Sequence, residues 1–305
     1  SLFSNQTTVA DYGEAARWLF RLLRMLAFPR RIQQSIFNTP GVVLVHGDTL
    51  STLFGTLLAK RMGLRVGLVE AGLTSNRLLS PFPEELVRRI SERLSNYLFA
   101  PGEKAARRLS KRKAVVINTG YNTGRDALFL QLDNDGTATD DFLITLHRLE
   151  TIQSRRRLER AVQYIRDLAS TDASITFVLH PPTRRALEAT GLLERLESHR
   201  TIQLVDLLPY PEFLRRLVSA RAVFTDGGSV QEECSYLGKP CVILREQTER
   251  PHGLGSTAFL TSWTAAPDVK KLMQTESAEP QQSRSPRTAS EIIVRAVVHD
   301  PRGDS

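Results

Sequence analysis

Cysteine, tryptophan and methionine are scarce: two, two and three among 305 residues. The two cysteines, Cys234 and Cys241, have no histidine cluster beside them, which argues against a zinc site. They read as small core residues in a reducing cytoplasm. No apolar run approaches the roughly 20 residues that span a bilayer. No secretory leader is legible either, so the expectation is a cytoplasmic protein with no membrane partner. The stretch from Trp18 to Leu26 mixes arginines with apolar residues. It reads as a core-facing helix with snorkelling arginines in preference to a membrane-surface helix.

What is present is ordinary in amount. Hydrophobic residues make up 41% and charged residues 24%, as in a globular protein, and 305 residues suffice for two domains. The formal net charge of +8 leaves nucleic acid, a membrane surface or an anionic small substrate as partners. Much of that charge sits in runs such as Arg155-Arg156-Arg157 and Arg184-Arg185. At helical spacing these are solvated faces, and no nucleic-acid module accompanies them. The expectation is therefore no nucleic acid.

Strand-like and helix-like segments alternate along the chain. Val42–Val45, Val66–Val69, Tyr97–Phe99 and Val115–Ile117 read as strands, with helices over Leu53–Arg61 and Pro83–Leu94. A polar stretch, 133–141, reads as a linker. A second series follows, with strands at Phe142–Leu146, Ile175–Leu179, Ile202–Val205, Val223–Thr225 and Cys241–Leu244. Helices near 154–169, 184–197, 211–220 and 230–237 separate them. Such alternation predicts parallel, doubly wound α/β sheets. The predicted organisation is a first lobe over 1–132, a second over 142–274, and a disordered-composition segment plus a helix at Ser290–Val298 over 275–305.

The richest stretch is 225–250. An apolar run ends at Thr225-Asp226, then Gly227-Gly228-Ser229 leads into a segment carrying Glu232 and Glu233. Free N–H groups at a helix N-terminus, reached through a loop nearly without side chains, suit a phosphate. A carboxylate one turn further can reach a ribose diol. An ordinary strand–loop–helix connection explains Gly-Gly equally well.

With Leu237-Gly238-Lys239-Pro240 and Thr248-Glu249-Arg250-Pro251, the whole string resembles the nucleotide-binding signature of the UDP-N-acetylglucosamine 2-epimerase family. That family usually has Asp-Ser-Gly-Gly where this chain has Asp226-Gly227-Gly228-Ser229, so the hydroxyl stands two places later. Four further stretches resemble the family's motifs in the right order. They are His46-Gly47-Asp48-Thr49, Glu70-Ala71-Gly72, Ser80-Pro81-Phe82-Pro83-Glu84-Glu85 with Arg88, and Leu146-His147-Arg148, where Leu146 replaces a glycine. The resemblance implies a glycosyltransferase-B-like fold, two Rossmann-like lobes with a cleft between them. The family's first strand and Gly-Thr-Arg-Pro-Glu loop have no counterpart before Val42, so an incomplete first lobe and slow turnover are expected.

Inverting C2 of an N-acetylhexosamine by eliminating and re-adding UDP needs acid–base groups and a stabilised diphosphate, and neither metal nor redox cofactor. Asp48 and Glu70 follow apolar strands, whose carboxyl ends face the ligand crevice in open α/β sheets. Asp48 also reads as a helix N-cap, and Glu84 with Arg88 as a surface i,i+4 pair. The resemblance implies proton transfer by Asp48, Glu70 and Glu84, Arg88 beside the substrate, and His147 on the pyrophosphate. It also implies His180 facing the cleft, Phe213 packing on uracil, Gly227, Gly228 and Ser229 on the diphosphate, and Glu233 on the ribose. Phe213 reads equally as a core residue. The implied substrate is a UDP-N-acetylhexosamine, and a homodimer is expected.

Overall fold

The computed structural model describes residues 20, 24–26, 41–74, 83–132, 139–171, 173–245, 248, 250, 252–261 and 287–299. Most of the Trp18–Leu26 stretch, Ser80 to Phe82, most of the 133–141 linker, Glu249, Pro251 and residues 275–286 lie outside that set. The chain divides into two compact units. One joins residues 1–123 to 287–305, and the other runs from 124 to 286.

In the first unit four strands lie parallel in chain order: β1 (Val42–His46), β2 (Arg65–Val69), β3 (Tyr97–Ala100) and β4 (Val115–Asn118). Between them run α1 (Leu50–Arg61), α2 (Glu84–Leu94) and α3 (Glu103–Leu109). Strand alternation sends Val66, Leu68, Leu98 and Ala100 into one core cluster and Val69, Tyr97 and Phe99 into another. The helix near the end of the chain, α11 (Ala289–Val298), covers the second cluster with Ile293, Ala296 and Val297. A capping box at Thr288, closed by Glu291, fixes where it starts.

The second unit is a six-stranded parallel sheet of β5 (Phe142–Leu146), β6 (Ile175–Leu179), β7 (Ile202–Asp206), β8 (Ala222–Thr225), β9 (Cys241–Ile243) and β10 (Ala258–Leu260), in the order β10-β9-β8-β5-β6-β7. Its helices are α4 (Thr123–Gln131), α5 (Leu149–Ile152), α6 (Arg155–Ala169), α7 (Pro181–Thr190), α8 (Leu193–Glu197), α9 (Tyr210–Ser219) and α10 (Gly228–Tyr236). Every residue of β5 and β6 is buried, as strands covered on both faces must be. Between β5 and β8 the order reverses: β6 and β7 extend one way, β9 and β10 the other.

Several boundaries differ from the sequence reading. The units part at 123/124, not at 133–141, and the last helix belongs to the first unit because its apolar face caps that sheet. The helix predicted over 184–197 is two helices, broken at Gly191, whose φ of 68° ends α7 in a left-handed turn. Helix α10 begins at Gly228, so Gly228 and Ser229 form its first turn and do not precede it. Cys234 and Cys241 are free and buried. No helix among the described residues is long and apolar enough to cross a membrane.

Candidate functional site

The strand-order reversal in the second unit puts the carboxyl ends of β5 and β8 side by side, the position where open α/β sheets bind ligands. His147 follows β5 and Asp226 follows β8. Asp226 is fully buried, and its carboxylate accepts from the backbone N–H of His147 and of Arg148, both at 3.0 Å. It thereby fixes the turn that presents His147. The His147 ring lies 4.8 Å, centroid to centroid, from that of His180, which follows β6. Burial lowers the pKa of His147. Asp226, 3.6 Å from Nδ1, opposes the shift, and Arg148 adds to it. Burial also lowers the pKa of His180, with His147 adding to the effect and Asp226 opposing it. Both imidazoles are neutral at neutral pH.

Against His147 is the start of α10. A β-carbon at Gly227 would lie 2.5 Å from Cε1 of His147, so only glycine allows the imidazole this close to the helix N-terminus. Ser229 is exposed in the first turn. Glu233, four residues on, shares its face about 6 Å further along the axis. Burial pushes the Glu233 carboxyl up to about 7, opposed by a hydrogen bond from the Tyr210 hydroxyl at 2.9 Å. Tyr210 and Phe213 are one turn apart on α9. Phe213 is half-buried and packs against the core cluster of Leu143, Val178 and Val230, which accords with its plainer reading.

Neighbouring residues of α10 hold the next loop. Gln231 donates to the carbonyls of Arg250 and His252, both at 2.9 Å. Glu232 is buried in an ion pair with Arg250 and accepts from the Tyr236 hydroxyl at 2.6 Å. In Gln231-Glu232-Glu233, the first two residues thus support the loop and the third faces the site.

In the first unit, β1 and β2 are paired so that His46 lies opposite Val69, and Asp48 and Glu70 leave the same edge of the sheet. Glu70 has a φ of 66°, the only non-glycine residue with positive φ among those described. Its carboxylate lies 3.8 Å from Nε2 of His46. Asp48 is not a helix cap. The cap position of α1 is Thr49, and Asp48 pairs with Arg88 of α2. Arg88 also lies 3.9 Å from Glu85, and no ion pair joins it to Glu84. One oxygen of Glu84, Oε2, is buried without a hydrogen-bond partner. A support that the sequence reading missed lies behind Glu70. Buried Glu92 accepts from the Gly72 N–H at 3.2 Å, and Arg108 and Arg112 neutralise it. Arg108 also donates to the Gly72 carbonyl at 2.8 Å.

A cavity of about 520 Å³ lies elsewhere in this unit, at the opposite strand ends, lined by Lys60, Arg65, Arg93, Lys111 and Lys113 among others. Lys60 and Arg93 end α1 and α2, where basic side chains offset the helix dipoles. It shares none of the predicted site residues. Among the described residues, no group of three or more His, Cys, Asp or Glu could hold a metal ion.

Comparison with known proteins matches residues 31–291 to the family described as UDP-N-acetylglucosamine 2-epimerase. A Methanocaldococcus jannaschii protein of that name is 35% identical over 229 residues, 70% of this chain and 62% of the relative. The UDP-2,3-diacetamido-2,3-dideoxy-D-glucuronate 2-epimerase of Pseudomonas aeruginosa is 35% identical over 69% of this chain and 60% of its own length. The alignments thus span less than two thirds of either relative. The crystal structure of the M. jannaschii UDP-GlcNAc 2-epimerase in complex with UDP-GlcNAc and UDP aligns with a TM-score of 0.78 at 30% identity. That alignment covers 94% of this chain and 81% of the other.

Proposed function

Because this chain belongs to the UDP-N-acetylglucosamine 2-epimerase family, we propose that it inverts C2 of a UDP-N-acetylhexosamine, interconverting UDP-GlcNAc and UDP-ManNAc. The observation that carries the reading is the switch point of the second sheet. There Gly227, the first of two glycines at the start of α10, lies against the half-buried His147, whose ring neighbours that of His180, with a carboxylate one turn further on. We assign the diphosphate to the first turn of α10, at Gly227, Gly228 and Ser229, with His147 and His180 opposite. The ribose diol goes to Glu233 and the uracil to Phe213.

The chemistry then needs a proton removed from C2 while the C1–O bond to UDP breaks. This leaves a C1=C2 glycal, and UDP re-adds after C2 is protonated from the other face. Asp48, Glu70 and Glu84 are the groups assigned to these transfers, and Arg88 orients Asp48. The partnerless oxygen of Glu84 supports its part, since a buried carboxylate oxygen gains most from a ligand hydrogen bond. The proposal includes a reducing, cytoplasmic location, which suits two free cysteines.

NMR of UDP-GlcNAc incubated with the protein in D₂O tests the reading. Deuterium at C2 together with UDP-ManNAc is the expected result. Free ManNAc with UDP would mark a hydrolysing relative instead. UDP binding with no exchange at C2 would leave a UDP-sugar-binding protein in place of an enzyme.

A further inference from the structure

The carboxylate assigned to the ribose does not stand alone. Tyr210 opens α9, behind Pro209, and its hydroxyl donates to Oε1 of Glu233 at 2.9 Å. Helices α9 and α10 flank β8, so this contact ties together the two helices that carry the proposed uracil and ribose contacts. An ionised carboxylate only accepts hydrogen bonds. With Oε1 engaged by a phenol, Oε2 and the remaining lone pair of Oε1 are left in a fixed direction. Two vicinal hydroxyls on one ligand can donate to such a group together.

We propose that Tyr210 is a positioning residue that makes this site selective for a ribose diol, by orienting Glu233 and holding it in its acceptor form. The proposal rests on the assignment of Glu233 to the ribose. The groups bearing on Glu233 are Tyr210 from α9, Glu232 and Cys234 on its own helix, and Arg250 from the loop after β9. Burial and Glu232 favour the protonated acid, while Tyr210 and Arg250 favour the carboxylate. A protonated Glu233 would spend one oxygen as a donor and meet the diol poorly.

The direction of the pH dependence follows. Glu233 titrates near 7 in the free protein. A diol that binds only the carboxylate therefore binds at full strength above that pH, and progressively less as pH falls through it. Removing the Tyr210 hydroxyl removes a stabiliser of the charged form. The titration moves up, and the loss of diol binding begins at higher pH.

The experiment compares UDP with 2′,3′-dideoxyuridine 5′-diphosphate by calorimetry between pH 5.5 and 9. The ratio of their dissociation constants cancels what the shared diphosphate and uracil contribute, including any titration of His147. In the unmodified chain UDP should be preferred by on the order of 10- to 100-fold above pH 7, as expected for hydrogen bonds to a charged group. The preference should shrink below pH 7. Tyr210→Phe keeps the ring, and circular dichroism verifies its fold. It should cut the preference about fivefold at pH 7 and move its onset to higher pH. Glu233→Gln should abolish most of the preference and all of its pH dependence. An unchanged ratio and onset in Tyr210→Phe, with the ratio lost in Glu233→Gln, would overturn the role of Tyr210 alone. A ratio that survives Glu233→Gln would overturn the ribose assignment itself.

Discussion

At the scale of single residues, Glu70 holds the most unusual backbone position among those described. A left-handed conformation costs a residue with a β-carbon about 1–2 kcal/mol, and such outliers cluster at functional sites. Glycine has no such cost, although it adds freedom to the unfolded chain. Glu70→Gly is therefore expected to melt at or slightly above the parent's Tm while C2 exchange falls about 10²- to 10⁴-fold. A clear fall in Tm would mean that the contacts of Glu70 outweigh the strain. His147 offers a second test. Burial leaves it neutral in the free protein, and a diphosphate beside it favours the imidazolium. At pH 8 Glu233 is already mostly ionised, so it releases little proton on binding. UDP binding should then show net proton uptake when calorimetry is repeated in buffers of different ionisation heat. His147→Asn should lose that uptake, and its persistence would assign the proton elsewhere.

At the scale of elements, α11 completes the first unit's core. Ile293 is buried against Val69, Tyr97 and Phe99, so Ile293→Ala is expected to cost about 2–5 kcal/mol in chemical denaturation. Thr288→Ala, which opens the capping box, is expected to cost about 1 kcal/mol. Much of this architecture is legible in the sequence. Strands such as β5 and β6, buried on both faces, read as apolar runs interrupted only by Thr145 and Thr176, with no alternation of polar and apolar residues. The break at Gly191 is not legible, because Leu192, Leu193 and Leu196 continue a helical apolar spacing across it. Nor is β10, a short Ala-Phe-Leu run directly after the Gly253–Thr257 turn. The motif carboxylates stand out in sequence, but their partners do not. Arg88 lies four residues after Glu84 yet pairs with Asp48, forty residues earlier. Asp226 beneath His147, Glu92 behind Gly72 and Tyr210 beside Glu233 likewise come from tertiary approach, for which a linear pattern has no sign.

At the scale of the whole chain, the division of labour proposed here has a direct readout. UDP assigned to the second unit should slow hydrogen exchange at the start of α10, the turn after β5 and the first turn of α9. The strands of the first unit should exchange at their free-protein rates. Protection confined to β1 and β2 instead would reverse the assignment. The composition of the two units carries a further consequence, for biosynthesis. Unit two is one continuous stretch, residues 124–286, while unit one is built from stretches on either side of it. On a ribosome, the six strands of the later unit emerge complete while the earlier unit still lacks the helix that covers Val69, Tyr97 and Phe99. The half translated second thus has all its parts first. The half translated first must keep an apolar sheet face open until α11 has been made, and in that interval a chaperone or a neighbouring nascent chain has its best chance to bind.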